Sequence, residues 1–198
     1  AQFDNPFGVA VDGSGNVYVA DTDNHTIRNI TSTGIVTTLY GAAGTSGSTD
    51  DKGVSAHSPY GVAIDGSGTV YATDTVTHTL RKITSAGTVS TLAGTSGTSG
   101  STEGSGTAAK FYDPLGLALD GSGNAYVADS NNHTIRKITS AGVVSTFAGT
   151  AGSNGTTDAT GAAARFDTPF GVAVDGSGTV YVADTYNHTI RKITSAGV

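Results

Sequence analysis

The phrase Pro-x-Gly-hydrophobic-Ala returns four times in this chain, at Pro6, Pro59, Pro114 and Pro169, at spacings of 53, 55 and 55 residues. A second phrase, His-Thr-hydrophobic-Arg, follows each copy at His25, His78, His133 and His188. A unit of this length must stack on copies of itself to bury its apolar faces, so the 198 residues read as one continuous array. The copies divide it at about 1–55, 56–110, 111–165 and 166–198, the last one partial.

The third copy shows what each unit contains. Gly116 to Asp120 is a short apolar run ending in Gly121-Ser122-Gly123-Asn124, a cluster suited to a tight turn. Ala125 to Asp129 follows, then a loop from Ser130 to His133, then Thr134 to Thr139 in the alternating pattern of a strand. After a turn at Ser140 to Gly142, Val143 to Ala148 makes the fourth strand, and no helical periodicity appears anywhere. Four antiparallel strands per repeat of roughly 40–55 residues define an all-β chain whose repeats are β-propeller blades. A β-sandwich has no need of one period, and solenoid coils are much shorter. Apolar residues on both faces of the first two strands (Val9-Ala10-Val11, Val17-Tyr18-Val19-Ala20) fit sheets enclosed between neighbouring blades.

The stretch Pro-Phe-Gly-Val-Ala-Val-Asp-Gly-Ser-Gly-Thr-Val-Tyr-Val-Ala-Asp-Thr-Tyr-Asn-His-Thr-Ile-Arg, from Pro169 to Arg191, resembles the NHL repeat, and all four copies share the resemblance. The second departs from it at Thr73 and at Thr77-His78. The resemblance implies a propeller that usually closes with six blades. Three ways of completing the ring stay open: further blades, a second chain, or closure of four blades alone. An open ring would leave unpaired strand edges that invite another chain, as a homo-oligomer or polymer. The resemblance also implies contacts with proteins or other macromolecules. For some relatives it implies lyase or hydrolase activity with a divalent metal on the axis.

Composition narrows the choices. Net charge is −6, and seven of the ten Lys and Arg belong to the recurring phrase, so no basic patch is available for a nucleic-acid partner. No apolar run approaches about 18 residues, so no membrane span is expected. Without Cys there is no disulfide framework or thiolate chemistry. The absence of Met even at position 1 is expected of a processed chain or a piece of a larger one. Long Gly, Ser and Thr-rich linkers look like those of secreted or surface proteins, which makes the expected location extracellular or cell surface.

If strands run from inside to outside, the turns after the first and third strands share one face. Those turns repeat almost unchanged (Asp12, Asp65, Asp120 and Asp175 open one set), which hairpin geometry alone explains. The variety lies opposite. One loop position reads Asp23, Val76, Asn131 and Tyr186, and the linkers add Asp50, Asp51, Lys52, His57, Lys110, Tyr112, Asp113, Arg165 and Asp167. Variable loops on a rigid scaffold are where recognition is expected, while stretches such as 94–106 also read as plain flexible spacers.

Chemistry is harder to find. The four recurring His lie too far from the axis to converge on a metal, and a structural hydrogen bond to Asp21, Asp74, Asp129 or Asp184 of the same blade is expected instead. The Asp-Gly-Ser-Gly turns lack the alternating oxygens and closing acid of a calcium loop. No nucleophile elbow is present, and the only Glu is Glu103. Five Asn-x-Thr sequences match glycosylation acceptors, three of them within the repeat phrase itself. The sequence therefore points to a non-enzymatic scaffold that binds or assembles, without a cofactor. The alternative is a metal-dependent propeller enzyme using His57, Asp113 and Asp167.

Overall fold

In a computed structural model, described for residues 1–47 and 56–197, the repeats fold as four antiparallel sheets. Asp50, Asp51 and Lys52 lie outside the described residues. The first blade is β1 (Pro6–Val11), β2 (Val17–Asp21), β3 (Thr26–Ile30) and β4 (Val36–Gly41); the second is β5 (Pro59–Ile64), β6 (Val70–Asp74), β7 (Thr79–Ile83) and β8 (Val89–Ala93). The third contains β10 (Pro114–Leu119), β11 (Ala125–Asp129), β12 (Thr134–Ile138) and β13 (Val143–Ala148), with the two-residue β9 (Gly104–Ser105) on its outer edge. The fourth holds β14 (Pro169–Val174), β15 (Val180–Asp184) and β16 (Thr189–Ile193).

Strands meander in sequence order, and the register repeats from blade to blade: Ala10 faces Tyr18, Ala63 faces Tyr71, Ala118 faces Tyr126 and Ala173 faces Tyr181. Two-residue alternation sends one set of side chains toward the next blade and the other toward the previous one. Ala20, Ile27 and Tyr40 of the first blade thus pack on Val62, Val70, Ala72 and Ile83 of the second. Tyr126, Ala128 and Ile135 of the third pack in the same manner on Val180, Val182 and Ile193 of the fourth.

Innermost strands touch in series, β1 on β5, β5 on β10 and β10 on β14. The array is an open arc. Val9 of the first blade is 64 % exposed and Ile190 of the fourth is 74 % exposed, because no blade covers either end face. The middle strands β6 and β11 are buried throughout, as the sequence leads one to expect, whereas β2 and β15 in the end blades are not.

Stretch 94–106, which also reads as a flexible spacer, follows a hydrogen-bonded path. Gly94 N–H donates to Gly106 O, Gly100 N–H to Phe111 O and Gly106 N–H to Gly142 O, and β9 pairs with β13. Its glycines reach positive φ at Gly97, Gly104 and Gly106, which lets the linker hug the outer strand.

Candidate binding face

The end of each second strand holds a buried Asp that organises the face. Asp129 accepts the Tyr112 N–H at 2.7 Å, Asn132 Nδ2 at 2.8 Å and Arg136 Nη1 at 2.9 Å. Asp184 does the same with the Asp167 N–H, Asn187 and Arg191, and Asp21 with the Asp4 N–H, Asn24 and Arg28. One carboxylate thereby ties the incoming linker, the loop after the second strand and the third strand together. A phenyl ring covers the guanidinium: Phe3 on Arg28, Phe111 on Arg136 and Phe166 on Arg191, with centroids 5.5, 5.5 and 5.1 Å away. Burial pushes the Asp129 carboxyl up to about 6, outweighing the opposing pull of Arg136 and of its hydrogen bonds.

These anchors bring linkers and loops to one face. Asp23 N–H donates to Asp4 O, Thr75 to Ser58, Asn131 to Tyr112 and Tyr186 to Asp167. Ser32 N–H donates to Asn16 Oδ1, so the two kinds of hairpin turn share the other face. There the turn carboxylates are engaged with their own hairpins. Asn16 Nδ2, the leading cause, and backbone N–H groups hold Asp12 below the usual carboxylate range, and Ser177 does so for Asp175.

On the variable face Asn131 Nδ2 donates to Asp113 Oδ2 at 2.5 Å and Asn154 Nδ2 to Asp167 Oδ2 at 2.9 Å. Tyr112 lies edge-on to His78, and Tyr186 is tilted against Phe170. Asp23, Val76, Asn131, Tyr112 and Tyr186 are exposed. Lys110 and Arg165 are placed differently. Arg165 Nη1 donates to Thr150 Oγ1 and to the carbonyls of Ala162 and Ala164, closing its own linker. The Lys110 stem lies beside the Gly100 Cα, while its carbonyl accepts from Arg136.

The recurring His differ from expectation in their partner. Their own-blade Asp is already occupied, by Asn and Arg in the first and third blades and by the His57, Ser58 and Thr77 N–H groups in the second, so the imidazoles of these three blades reach the next blade's linker. His25 Nδ1 donates to the His57 carbonyl, while His78 and His133 Nδ1 accept from the Asp113 and Thr168 N–H groups at 3.3 and 3.1 Å. All four hold φ between 56 and 58°, the left-handed conformation that turns the ring toward the junction.

At the axis the four innermost strands line an open hollow of about 240 Å³, bordered by Phe7, Tyr60, Leu117, Phe170 and the glycines between them. Phe7 stacks on Tyr60 with centroids 4.3 Å apart and remains 48 % exposed. Sequence reasoning passed over these rings, although the variable position of Pro-x-Gly reads Phe, Tyr, Leu and Phe and was the available signal. Among the described residues no group of three or more His, Asp or Glu is placed to hold a metal ion. Nor is any helix among the described residues long and apolar enough to cross a membrane.

A family profile described as the NHL repeat matches residues 3–28, 111–138 and 166–193. Human NHL repeat-containing protein 2 is 38 % identical over 95 residues, which is 46 % of this chain and 13 % of the relative. A structural-genomics protein of unknown function from Bacteroides thetaiotaomicron superposes with a TM-score of 0.79 at 25 % identity, over 94 % of this chain and 46 % of that one. An auxiliary nutrient binding protein from Bacteroides ovatus gives a TM-score of 0.76 at 22 % identity, over 97 % and 48 %. A catalytically inactive virginiamycin B lyase from Staphylococcus aureus gives 0.69 at 16 % identity, over 100 % and 55 %. The chain thus spans about half the length of the solved structures it matches and a small part of the curated relative. Repeat phrase, strand order within each blade and profile match agree: the chain carries NHL repeats, folded as the blades of a β-propeller.

Proposed function

We propose that this chain is a non-enzymatic propeller scaffold that binds a protein partner through the face of linkers and second-strand loops, seating apolar side chains over the axial mouth. The observation that carries this reading is the gathering of exposed rings there: Phe7 on Tyr60, Tyr186 against Phe170, and Tyr112 beside His78. Aromatic side chains give large contact area at low entropic cost, and here the buried Asp hubs hold their backbone in place. An overall charge of −6 favours a protein over a nucleic acid. A secreted or surface setting belongs to the same reading, supported by the long Gly, Ser and Thr-rich linkers. The second reading, a lyase or hydrolase with an axial metal, has the lyase fold neighbour in its favour. Against it, the axial hollow is lined by glycine, aliphatic and aromatic residues, and Asp113 and Asp167 are engaged by Asn131 and Asn154.

Selection of displayed random peptides on the immobilised chain tests the proposal. Enriched peptides are expected to carry apolar residues and to lose about tenfold or more in affinity on a Phe7→Ser, Tyr186→Ser double variant. Peptides that bind this variant unchanged, or that map to the opposite face of turns, would overturn it.

A further inference from the structure

Each of the three blade junctions is made by the same devices. Gly8, Gly61 and Gly116 lie so close to the next innermost strand that a Cβ on any of them would meet the backbone of Tyr60 to Val62, Leu115 to Leu117 or Phe170 to Val172. A hydroxyl after the second strand donates to the next blade's leading proline carbonyl: Thr22 to Pro59 at 2.6 Å, Thr75 to Pro114 at 3.1 Å and Ser130 to Pro169 at 2.5 Å. The imidazole then meets the backbone just ahead of that proline, as described above.

Both halves of this junction are present and uncovered at the ends of the arc. On the fourth blade a Cβ at Gly171 would meet only its own sheet's Ala183, and Thr185 Oγ1 turns back to the Ala183 carbonyl. Tyr181 and Ile190, which correspond to the buried Tyr126 and Ile135, are exposed, and so is Ala173. On the first blade Val9 and Val11, which correspond to Val62 and Ile64, are also exposed. Asn5 holds φ 50°, matching the 51° and 49° of Asp113 and Thr168, the residues whose N–H groups donate to His78 and His133.

We infer that a second copy of this chain docks head to tail on the fourth blade. The backbone of its Phe7 to Val9 enters the space beside Gly171, its Pro6 carbonyl accepts from Thr185, and its Asn5 N–H donates to His188. The apolar Val9 and Val11 then cover Tyr181 and Ile190. The occupant is a second copy because the two end faces are the halves of an interface the chain already makes three times. The contact is heterologous. If its rotation closes at two copies it forms a ring of eight blades, four from each, within the usual range of propellers; otherwise it extends as an open chain. This goes beyond the proposed binding face and does not depend on it.

Light scattering after size exclusion tests the inference on the unaltered chain, on Val9→Glu, on Ile190→Glu and on an equimolar mixture of the two variants. Both positions are exposed in the single chain, and circular dichroism confirms that each variant folds. The unaltered chain is expected at multiples of 19.6 kDa. Each variant alone should associate about a hundredfold more weakly or worse, because a carboxylate is forced into a desolvated junction. The mixture should recover a dimer, since the Ile190→Glu chain still offers an intact first blade and the Val9→Glu chain an intact fourth. A monomeric unaltered chain, assembly that survives both changes, or a mixture that stays monomeric would each overturn it.

Discussion

Substituting Gly61 by Ala should separate the second and third blades. A Cβ at Gly61 would lie 2.9 Å from the Leu117 nitrogen, 3.0 Å from the Leu117 Cβ and closer still to the Leu115 carbonyl oxygen. Carbon contacts are comfortable from about 3.5 Å, so β5 and β10 must part by roughly 0.5–1 Å, and a gap of that size forfeits a quarter to a half of each dispersion contact across it. The contacts at risk include those of Ala63, Leu117 and Val127, all buried at this junction. Overpacking against backbone costs about 3 kcal/mol, the upper end of the usual range, partly offset by the roughly 0.4–1 kcal/mol that alanine gains over glycine through the unfolded chain. For a chain of this size that is a fall of about 5–10 °C in Tm. Gly171→Ala is the control. Its Cβ would meet only the Ala183 Cβ, at 3.4 Å, so its stability should stay within about 0.5 kcal/mol of the parent. Urea unfolding at dilute, monomeric concentration measures both. Equal losses from the two substitutions would refute the idea that the inner glycines exist to let blades approach.

The junction histidines allow a parallel comparison. His133→Asn, which tolerates the left-handed backbone but is too short to reach Thr168, should cost about 1 kcal/mol, whereas His188→Asn should cost almost nothing in the monomer; chemical denaturation separates the two. The Asp129 carboxyl supplies a pH test. Its folded value of about 6 lies above the unfolded value of 3.8, so the folded state holds the proton more tightly. Its contribution to stability is complete below about pH 4 and is lost as pH rises through 6. Asp129→Asn should remove that part of the slope between pH 4 and 7 in urea titrations; an unchanged slope would refute the assignment.

Strand positions were legible to within a residue or two, because each strand carries its own alternation and each hairpin its own glycine. Ala125–Asp129 and Val143–Ala148 begin and end where the pattern places them. The division into a uniform and a variable face followed from topology alone. The partner of each His was not legible, since the choice between an Asp four residues earlier and a backbone group over thirty residues later depends on what else claims that Asp. Asn132 and Arg136 claim Asp129, and the imidazole of His133 is left to bridge blades. The spacer reading of stretch 94–106 has a related origin. Gly, Ser and Thr composition describes a flexible chain equally well as one whose backbone is ordered by distant partners, such as Arg136 and the Thr102 carbonyl.

The repetition of one junction three times has a bearing on how such a chain changes length. Whatever glycine, hydroxyl and imidazole one blade offers, the following blade answers with the same proline, the same backbone and a branched aliphatic side chain (Val62, Leu117 or Val172), so any blade is an acceptable neighbour for any other. Excising residues 56–110 would set the first blade against the third with the same contacts that now join it to the second. Duplication or loss of a whole repeat therefore leaves every remaining seam intact, while the loops above each seam stay free to drift independently. An arc of this kind is a modular register in which recognition can be rewritten one blade at a time.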